Sequence, residues 1–190
     1  EELIRLKAVA LEEIRTLEDH PERLTSKLFA ETMYGDFPYA FPVFGYQDSI
    51  EKINKQEIEQ HLQKTFANGK LVIAISGRFE KSKVLDLFNS HFSESSRTHN
   101  KQVYGQKLSL PTTSRLVTVN KEREQTHILI GFPGTQIQDK ERLQVKFLAN
   151  ILGGQSGRLF LELRDKQGLC YSIAPTYFEG LTAPGTFAIY

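Results

Sequence analysis

The stretch LGGQSGRLFLELRDKQGLCY, residues 152–171, carries the most information about the fold. Its glycines and its apolar spacing predict a turn, a short helix, a glycine stop and the start of a strand. Arg164 lies at the end of the predicted helix, and Tyr171 lies at the start of the strand. Because only a tight turn separates them, the two side chains can converge on one point. There they are candidate hydrogen-bond donors to a carbonyl or an oxyanion.

Composition and charge exclude several classes of function. The chain has 190 residues, of which 39% are hydrophobic, enough for one large domain or parts of two. A net charge of +1 gives no reason to expect nucleic acid as a partner. The sequence has no run of about 18 apolar residues, so it predicts no membrane span. The single cysteine, Cys170, excludes an internal disulfide and leaves the compartment open, with bacterial cytoplasm and periplasm both allowed.

Apolar periodicity predicts a first structural part that is rich in helices. Its predicted elements are helices over residues 1–18 and 21–34, a third helix from Asn54, a buried strand over 71–75 and a fourth helix over 84–92. Ile58, Leu62 and Phe66 recur at four-residue steps, so we expect them to line the buried face of the third helix. The chain begins within a helical pattern and ends within a strand-like one, so we expect a segment of a longer protein.

A polar stretch separates this part from a second one. Residues 93–112 are nearly free of apolar periodicity and are interpreted as a linker. The elements predicted after it are strands over 115–120 and 127–132, helices over 140–152 and 157–166, and strands over 170–178 and 185–190. Each part mixes helices with strands in runs rather than in strict alternation, which favours an α+β fold.

The same residues resemble the pitrilysin/insulinase family of zinc metallopeptidases. The matching series is Gly153-Gly154, Gly157-Arg158-Leu159-Phe160, Leu163-Arg164, Gly168-Leu169 and Tyr171-Ser172. A second match is YGDFPYAFPVFG over residues 34–45. The resemblance covers nearly the whole chain and implies a metallopeptidase-like α/β roll. In that fold, residues 1–92 are the C-terminal part of one half, 93–112 the linker and 113–190 the start of the second half.

The resemblance also implies a role for Arg164 and Tyr171. In the family, an arginine and a tyrosine at this spacing hold the substrate carbonyl across from the zinc. Spacing alone allows a plainer interpretation, in which Arg164 pairs with a nearby acid such as Asp165 and Tyr171 is half-buried in a strand.

Zinc is expected only in a fuller assembly. An inverted zinc motif needs two histidines four residues apart on one helix with a glutamate base, and the sequence has no His-x-x-Glu-His. The resemblance places Glu13 at the position of a third metal ligand, with the histidine motif before residue 1. Leu6 stands where active members usually keep a second glutamate, which resembles the non-catalytic halves. The plainer alternative is that Glu12 and Glu13 are solvated helix charges.

Three functional hypotheses follow. The first is a non-catalytic portion that grips unstructured peptides and acts with a zinc-bearing half, in the same protein or in a partner subunit. The second is an active zinc peptidase protomer whose histidine motif precedes residue 1. The third is a structural relative without peptidase activity, against which the presence of both Arg164 and Tyr171 argues.

Overall fold

The structure of the chain is a computed structural model that describes residues 1–68, 72–91 and 108–190. In these residues it contains helices and one small antiparallel sheet. The elements, in chain order, are α1 (Glu2–Asp19), α2 (Pro21–Tyr34), a 3-10 helix (Pro38–Ala40), α3 (Gln47–Lys52), α4 (Lys55–Asn68), α5 (Lys81–His91), β1 (Ile130–Pro133), α6 (Arg142–Leu152), a π-helix (Phe160–Lys166), β2 (Pro175–Phe178) and β3 (Thr186–Ile189). This combination confirms the predicted α+β class.

Helices α1 and α2 lie where the sequence predicts them. His20 is extended between them, and Pro21 occupies the first position of α2, where its missing N–H costs no hydrogen bond. Gly35 ends α2 with a φ of 55°, a left-handed conformation that glycine adopts without strain. Among the described helices, none combines the length and the apolar character needed for a membrane-spanning segment.

The start of α4 is also confirmed. The Glu57 backbone N–H donates to Asn54 Oδ1 at 3.0 Å, and the Asn54 backbone N–H donates to the Glu57 carboxylate at 3.0 Å. Such a reciprocal pair satisfies two backbone donors that the first turn of a helix leaves free. The short helix α3 before it was not predicted. Helix α5 overlaps the predicted range 84–92 but begins three residues earlier, at Lys81, and Phe92 lies outside the described residues.

The predicted burial of this region is wrong. Ile58, Leu62 and Phe66 are 38%, 47% and 70% exposed, so they do not form a buried face. The described part of the predicted strand over 71–75 is extended but unpaired, and Val72 is 75% exposed. A strand needs a neighbour for its backbone N–H and C=O groups, and the described residues provide none at this place.

The sheet belongs to the second part of the chain. Its strand order is β1-β3-β2, and both pairings are antiparallel. Strand β1 overlaps the predicted range 127–132. Strands β2 and β3 lie within the predicted ranges 170–178 and 185–190, and all three strands are shorter than predicted. The strand predicted over 115–120 is wrong, because these residues are not assigned to a strand and pair with none among the described residues. Most of the predicted linker, 93–107, lies outside the described residues, so the division of the chain at 93–112 stays a prediction.

A small core joins α2 and the 3-10 helix to the β2–β3 hairpin. We call it the Tyr39 cluster; its members are Met33, Tyr34, Phe37, Tyr39, Ala40, Phe178 and Ala183. The Tyr39 ring meets the rings of Tyr34, Phe37 and Phe178 edge to face at 5.4, 5.0 and 5.4 Å, a geometry that aromatic quadrupoles favour. The backbone N–H groups of Leu181 and Thr182 donate to the Tyr39 hydroxyl oxygen at 2.7 and 3.2 Å. The cluster therefore fixes the hairpin that follows Tyr171 in the chain.

Candidate functional site

The structure brings Arg164 and Tyr171 together. Arg164 belongs to the π-helix, and its guanidinium carbon lies 4.8 Å from the centroid of the Tyr171 ring. The same carbon lies 4.5 Å from the centroid of the Phe160 ring. Both distances are within the range of cation–π attraction. The convergence of the two side chains was expected from the sequence; their role in gripping a substrate is not tested by this geometry.

A glycine turn explains why the two side chains meet. Gly168 has a φ of 62°, which a residue with a Cβ adopts only at a cost. Its N–H donates to the Arg164 carbonyl at 3.0 Å, and the Leu169 N–H donates to the Leu163 carbonyl at 2.9 Å. These bonds close the wide last turn of the π-helix and reverse the chain. Tyr171 thereby returns to the side of the helix on which Arg164 lies.

The π-helix itself is a further sign of a specialised site. An inserted residue in a helical turn widens the i→i−4 ladder to i→i−5 bonds, and such turns occur frequently at functional sites. Here the Gln167 N–H donates to the Glu162 carbonyl, five residues earlier, at 3.2 Å. The sequence predicts a short helix over 157–166 but does not predict its widened form.

The N–H groups of the Arg164 guanidinium have no partner in the part of the chain that the structure describes. Within the described part of the chain it has no hydrogen-bond acceptor and no carboxylate within ion-pair distance. The alternative pairing of Arg164 with Asp165 is therefore not observed. Tyr171 is 81% exposed and precedes β2, so it is not half-buried in a strand either. A planar fork of N–H donors remains available to a carbonyl or carboxylate oxygen.

A neighbouring acid is engaged elsewhere. Lys166 Nζ lies 2.8 Å from Glu162 Oε2, and Gln167 Nε2 donates to Glu162 Oε1 at 3.1 Å. The hydrogen bond from Lys166, followed by that from Gln167, lowers the pKa of the Glu162 carboxyl, and the same carboxylate raises the pKa of Lys166. All three groups are at the surface, so this contact adds little stability. Both oxygens of Glu162 therefore contact Lys166 or Gln167, and neither is recorded in contact with Arg164 among the described residues.

Phe160 is a component of the site that the sequence reasoning missed. The residue was noted only as part of the family-like series, yet it stands four residues before Arg164. Side chains four residues apart on a helix are neighbours. That spacing was the signal that could have identified Phe160 as a partner of the guanidinium.

Glu13, the candidate metal ligand, contacts a cation. Its Oε2 lies 3.8 Å from Arg23 Nη1, and Glu12 Oε2 lies 3.9 Å from Arg15 Nη1. In residues 1–68, 72–91 and 108–190 there is no group of three or more His, Cys, Asp or Glu side chains that could hold a metal ion. The described residues therefore do not fit a zinc site on their own, and the role of Glu13 stays a prediction.

Two cavities border α2 but do not include the Arg164–Tyr171 pair. One, of about 450 Å³, lies between α2 and the extended residues 115–129. The other, of about 640 Å³, lies between α1, α2 and residues 39–47. Arg164 and Tyr171 line neither of them; Tyr171 is exposed and Arg164 is half-buried.

Comparisons with known proteins agree with this structure. A family model described as the peptidase M16 inactive domain matches residues 52–190. An uncharacterized zinc protease of Streptomyces coelicolor is 31% identical over 97% of the chain, and one of Bacillus subtilis is 28% identical over 100% of it. The chain spans only 41% and 45% of the lengths of these two relatives.

Solved structures share the fold. A protease from Helicobacter pylori matches 99% of the chain with a TM-score of 0.76 and 22% identity, over 46% of that protein. A peptidase M16 inactive domain from Pseudomonas fluorescens matches 99% of the chain with a TM-score of 0.66 and 24% identity, over 45% of that protein. At these identities the likeness shows the fold alone.

Proposed function

The chain belongs to the peptidase M16 inactive domain family, and on this premise we propose that it is the substrate-gripping, non-catalytic portion of a zinc metalloendopeptidase assembly. The observation that carries the proposal is the placement of Arg164. Its guanidinium contacts two aromatic rings, and its N–H groups have no partner among the described residues. Such a cation is available for an oxygen of a bound ligand.

Arg164 and Tyr171 bind the carbonyl of the peptide bond to be cleaved. As water adds to that carbonyl, negative charge develops on its oxygen, and the guanidinium fork and the phenol hydroxyl stabilise it by donating hydrogen bonds. Donors that are fixed before the reaction need no reorganisation, which is why such groups are usually the largest contribution to catalysis. The bonds to the oxygen strengthen as its charge grows, so they accelerate the reaction rather than only tightening binding.

Zinc is supplied by the other half of the assembly. The described residues do not fit a zinc site, and we derive no catalytic step through the metal in this chain. The zinc-bearing half belongs either to a longer protein that contains the chain or to a partner subunit. The names of the relatives as zinc proteases, and the chain's span of less than half their length, support this arrangement.

The proposed substrate is an unstructured peptide. Two halves that close on a peptide can enclose only chains that are not already folded. A second candidate function, an active zinc protomer in which Glu13 completes the metal site, has support in the same relatives, because they extend well beyond the matched region. The sequence that precedes Glu1 in the natural protein distinguishes the two: a His-x-x-Glu-His motif there favours the active protomer.

Substitution of the two donors tests the proposal in the chain combined with its zinc-bearing half. Tyr171→Phe keeps the ring next to Arg164 and removes the hydroxyl, so turnover is expected to fall by roughly a hundredfold, as after loss of one oxyanion donor. Arg164→Lys is expected not to restore activity, because an ammonium group does not reproduce the planar fork. The measurement is the steady-state cleavage of a fluorogenic peptide.

Arg158 provides the matched control. It is exposed and lies in the same family-like series, six residues before Arg164, so Arg158→Lys is expected to leave turnover within about twofold of the parent. If Tyr171→Phe is as silent as Arg158→Lys, the gripping role is wrong and the structural-relative hypothesis gains.

Zinc binding by the chain alone provides a second test. We expect no stoichiometric zinc and no peptide cleavage, because at most one ligand, Glu13, is present where catalytic zinc takes three protein ligands. Metal analysis of the purified chain after dialysis against zinc, alongside the fluorogenic assay, measures both. Tight one-to-one binding would contradict the assignment of the chain as the metal-free portion.

A further inference from the structure

Phe160 and Tyr171 both present their rings to Arg164. The guanidinium carbon is 4.5 Å from the Phe160 centroid and 4.8 Å from the Tyr171 centroid. The guanidinium therefore contacts both rings. Phe160 is half-buried, whereas Tyr171 is 81% exposed. The Phe160 ring is thus the better anchored of the two rings.

An apolar ring suits this position for a physical reason. An arginine side chain loses much rotamer freedom when it is held in one geometry, and an exposed arginine without a partner samples many rotamers. A carboxylate could restrain it, but a carboxylate would also occupy the N–H groups. An aromatic ring attracts the cation through its π-face and leaves the in-plane N–H donors free. Phe160 can therefore restrain Arg164 without competing with a ligand.

We propose that Phe160 is a positioning residue that holds the Arg164 guanidinium in place for the substrate carbonyl. This inference rests on the proposed function and adds a residue to it. Groups that are oriented before the reaction lower the activation barrier, because the loss of entropy on orienting them does not occur during the reaction step. Loss of the ring should therefore reduce the rate of the chemical step more than the binding of the peptide.

Substitutions separate the ring from other effects of Phe160. In the chain combined with its zinc-bearing half, Phe160→Leu is expected to lower kcat about fivefold with little change in KM, as loss of a cation–π contact predicts. Phe160→Tyr keeps a ring over the cation and is expected to restore kcat to within about twofold. In an Arg164→Ala background, Phe160→Leu is expected to have no further effect, since the group it positions is gone.

Phe147 supplies a matched control. It is also a helical phenylalanine, on α6, and it is 66% exposed with no arginine over its ring among the described contacts. Phe147→Leu is expected to leave kcat unchanged. An equal loss in Phe160→Leu and Phe147→Leu would indicate a general effect of removing a helix ring and would overturn the inference.

A measurement that does not depend on catalysis reports directly whether Phe160 contacts Arg164. Protons above the face of an aromatic ring are shielded, so the Arg164 Nε–H resonance should lie upfield of that of exposed Arg158 in arginine-labelled protein. Phe160→Leu should move it toward the Arg158 position, and Phe160→Tyr should retain it. A fall in kcat with an unmoved Arg164 resonance would show that Phe160 acts by another route and would overturn the inference.

The results also distinguish this inference from the proposed function. If Arg164→Ala retains full activity, the gripping function fails, and the positioning role fails with it. If Arg164→Ala lowers turnover while Phe160→Leu changes neither kcat nor the resonance, the function stands and only the role of Phe160 is lost.

Discussion

Helix α2, which contributes to the Tyr39 cluster, and helices α4 and α5 are all amphipathic, but their surroundings differ. In the cluster, Phe37 of the α2–3-10 region is 6% exposed and Ala183 of the β2–β3 hairpin is 4% exposed. In α4 and α5, Phe66 is 70% exposed and Leu87 is 59% exposed. The difference shows that an apolar stripe predicts which face of a helix can be buried, whereas burial itself requires a facing element.

The two regions also differ in where the facing element comes from. The hairpin that covers α2 lies more than 140 residues later in the chain, as the hydrogen bond from Leu181 to Tyr39 shows. No element in the described residues packs extensively on α4 or α5. Because the chain spans less than half the length of its relatives, we expect these faces to be covered only in the fuller assembly.

The largest effect is expected from truncation inside the cluster. Phe37→Ala removes a buried ring and leaves a cavity, which typically costs about 3–5 kcal/mol of the free energy of unfolding. Phe66→Ala, at an exposed ring, should change the same quantity by less than about 0.5 kcal/mol in the chain alone. Urea denaturation followed by circular dichroism measures both.

The same pair of variants sharpens the comparison in the assembly. If the rest of the assembly covers α4, Phe66→Ala should cost several kcal/mol there, as a core substitution does, while remaining nearly silent in the chain alone. Equal and large costs of both variants in the chain alone would contradict the described difference between the two regions.

A smaller effect is expected from Tyr39→Phe. The ring contacts remain, but the backbone N–H groups of Leu181 and Thr182 lose their common acceptor. Because Leu181 is exposed, water can replace part of the loss, and we expect a cost of about 1 kcal/mol. Tyr46 is the control, since its hydroxyl donates to Glu31 at 3.3 Å on the surface; Tyr46→Phe should cost less than about 0.5 kcal/mol. Faster hydrogen exchange at residues 181 and 182 in Tyr39→Phe would identify the broken contact.

The smallest effect concerns the order in which two tyrosines ionise. Burial raises the pKa of Tyr34, and its hydrogen bond with Thr186 only partly opposes this. Burial also raises the pKa of Tyr39, but the hydrogen bonds it receives from Thr182 and Leu181 outweigh burial and lower the pKa overall. Tyr39 should therefore ionise before Tyr34, although their rings are only 5.4 Å apart.

The sign of the pH dependence follows from these two directions. Tyr39 has the lower pKa in the folded state, so its contribution to stability grows as pH rises from that pKa toward the unfolded value near 10. Tyr34 has the higher pKa when folded, so the stability it contributes is lost as pH rises from about 10 through its folded pKa. Ultraviolet titration of Tyr39→Phe and Tyr34→Phe assigns the two steps; the reverse order would contradict the hydrogen bonding at Tyr39.

Sequence reasoning located the helices well and the strands less well. The starts of α2 and α4 could be predicted from the sequence, because Pro21 and the Asn54–Glu57 pair act within the first turn of each helix. The strand over 115–120 and the described part of that over 71–75 were not observed, because β-pairing depends on a neighbour that a local pattern does not specify. The helix α3 was missed because its six residues, Gln47–Lys52, carry little periodicity.

The candidate site shows the same division. The motif series and the glycine turn at Gly168 were sufficient to predict that Arg164 and Tyr171 meet, because the turn is local and only glycine adopts its φ of 62° without strain. The absence of a carboxylate beside Arg164 in the described residues, the contact with Phe160 and the widened helical turn were visible only in three dimensions. Neighbouring residues determine helix starts and tight turns. Burial, strand pairing and the partner of a charged side chain depend instead on residues that folding brings together from distant parts of the chain.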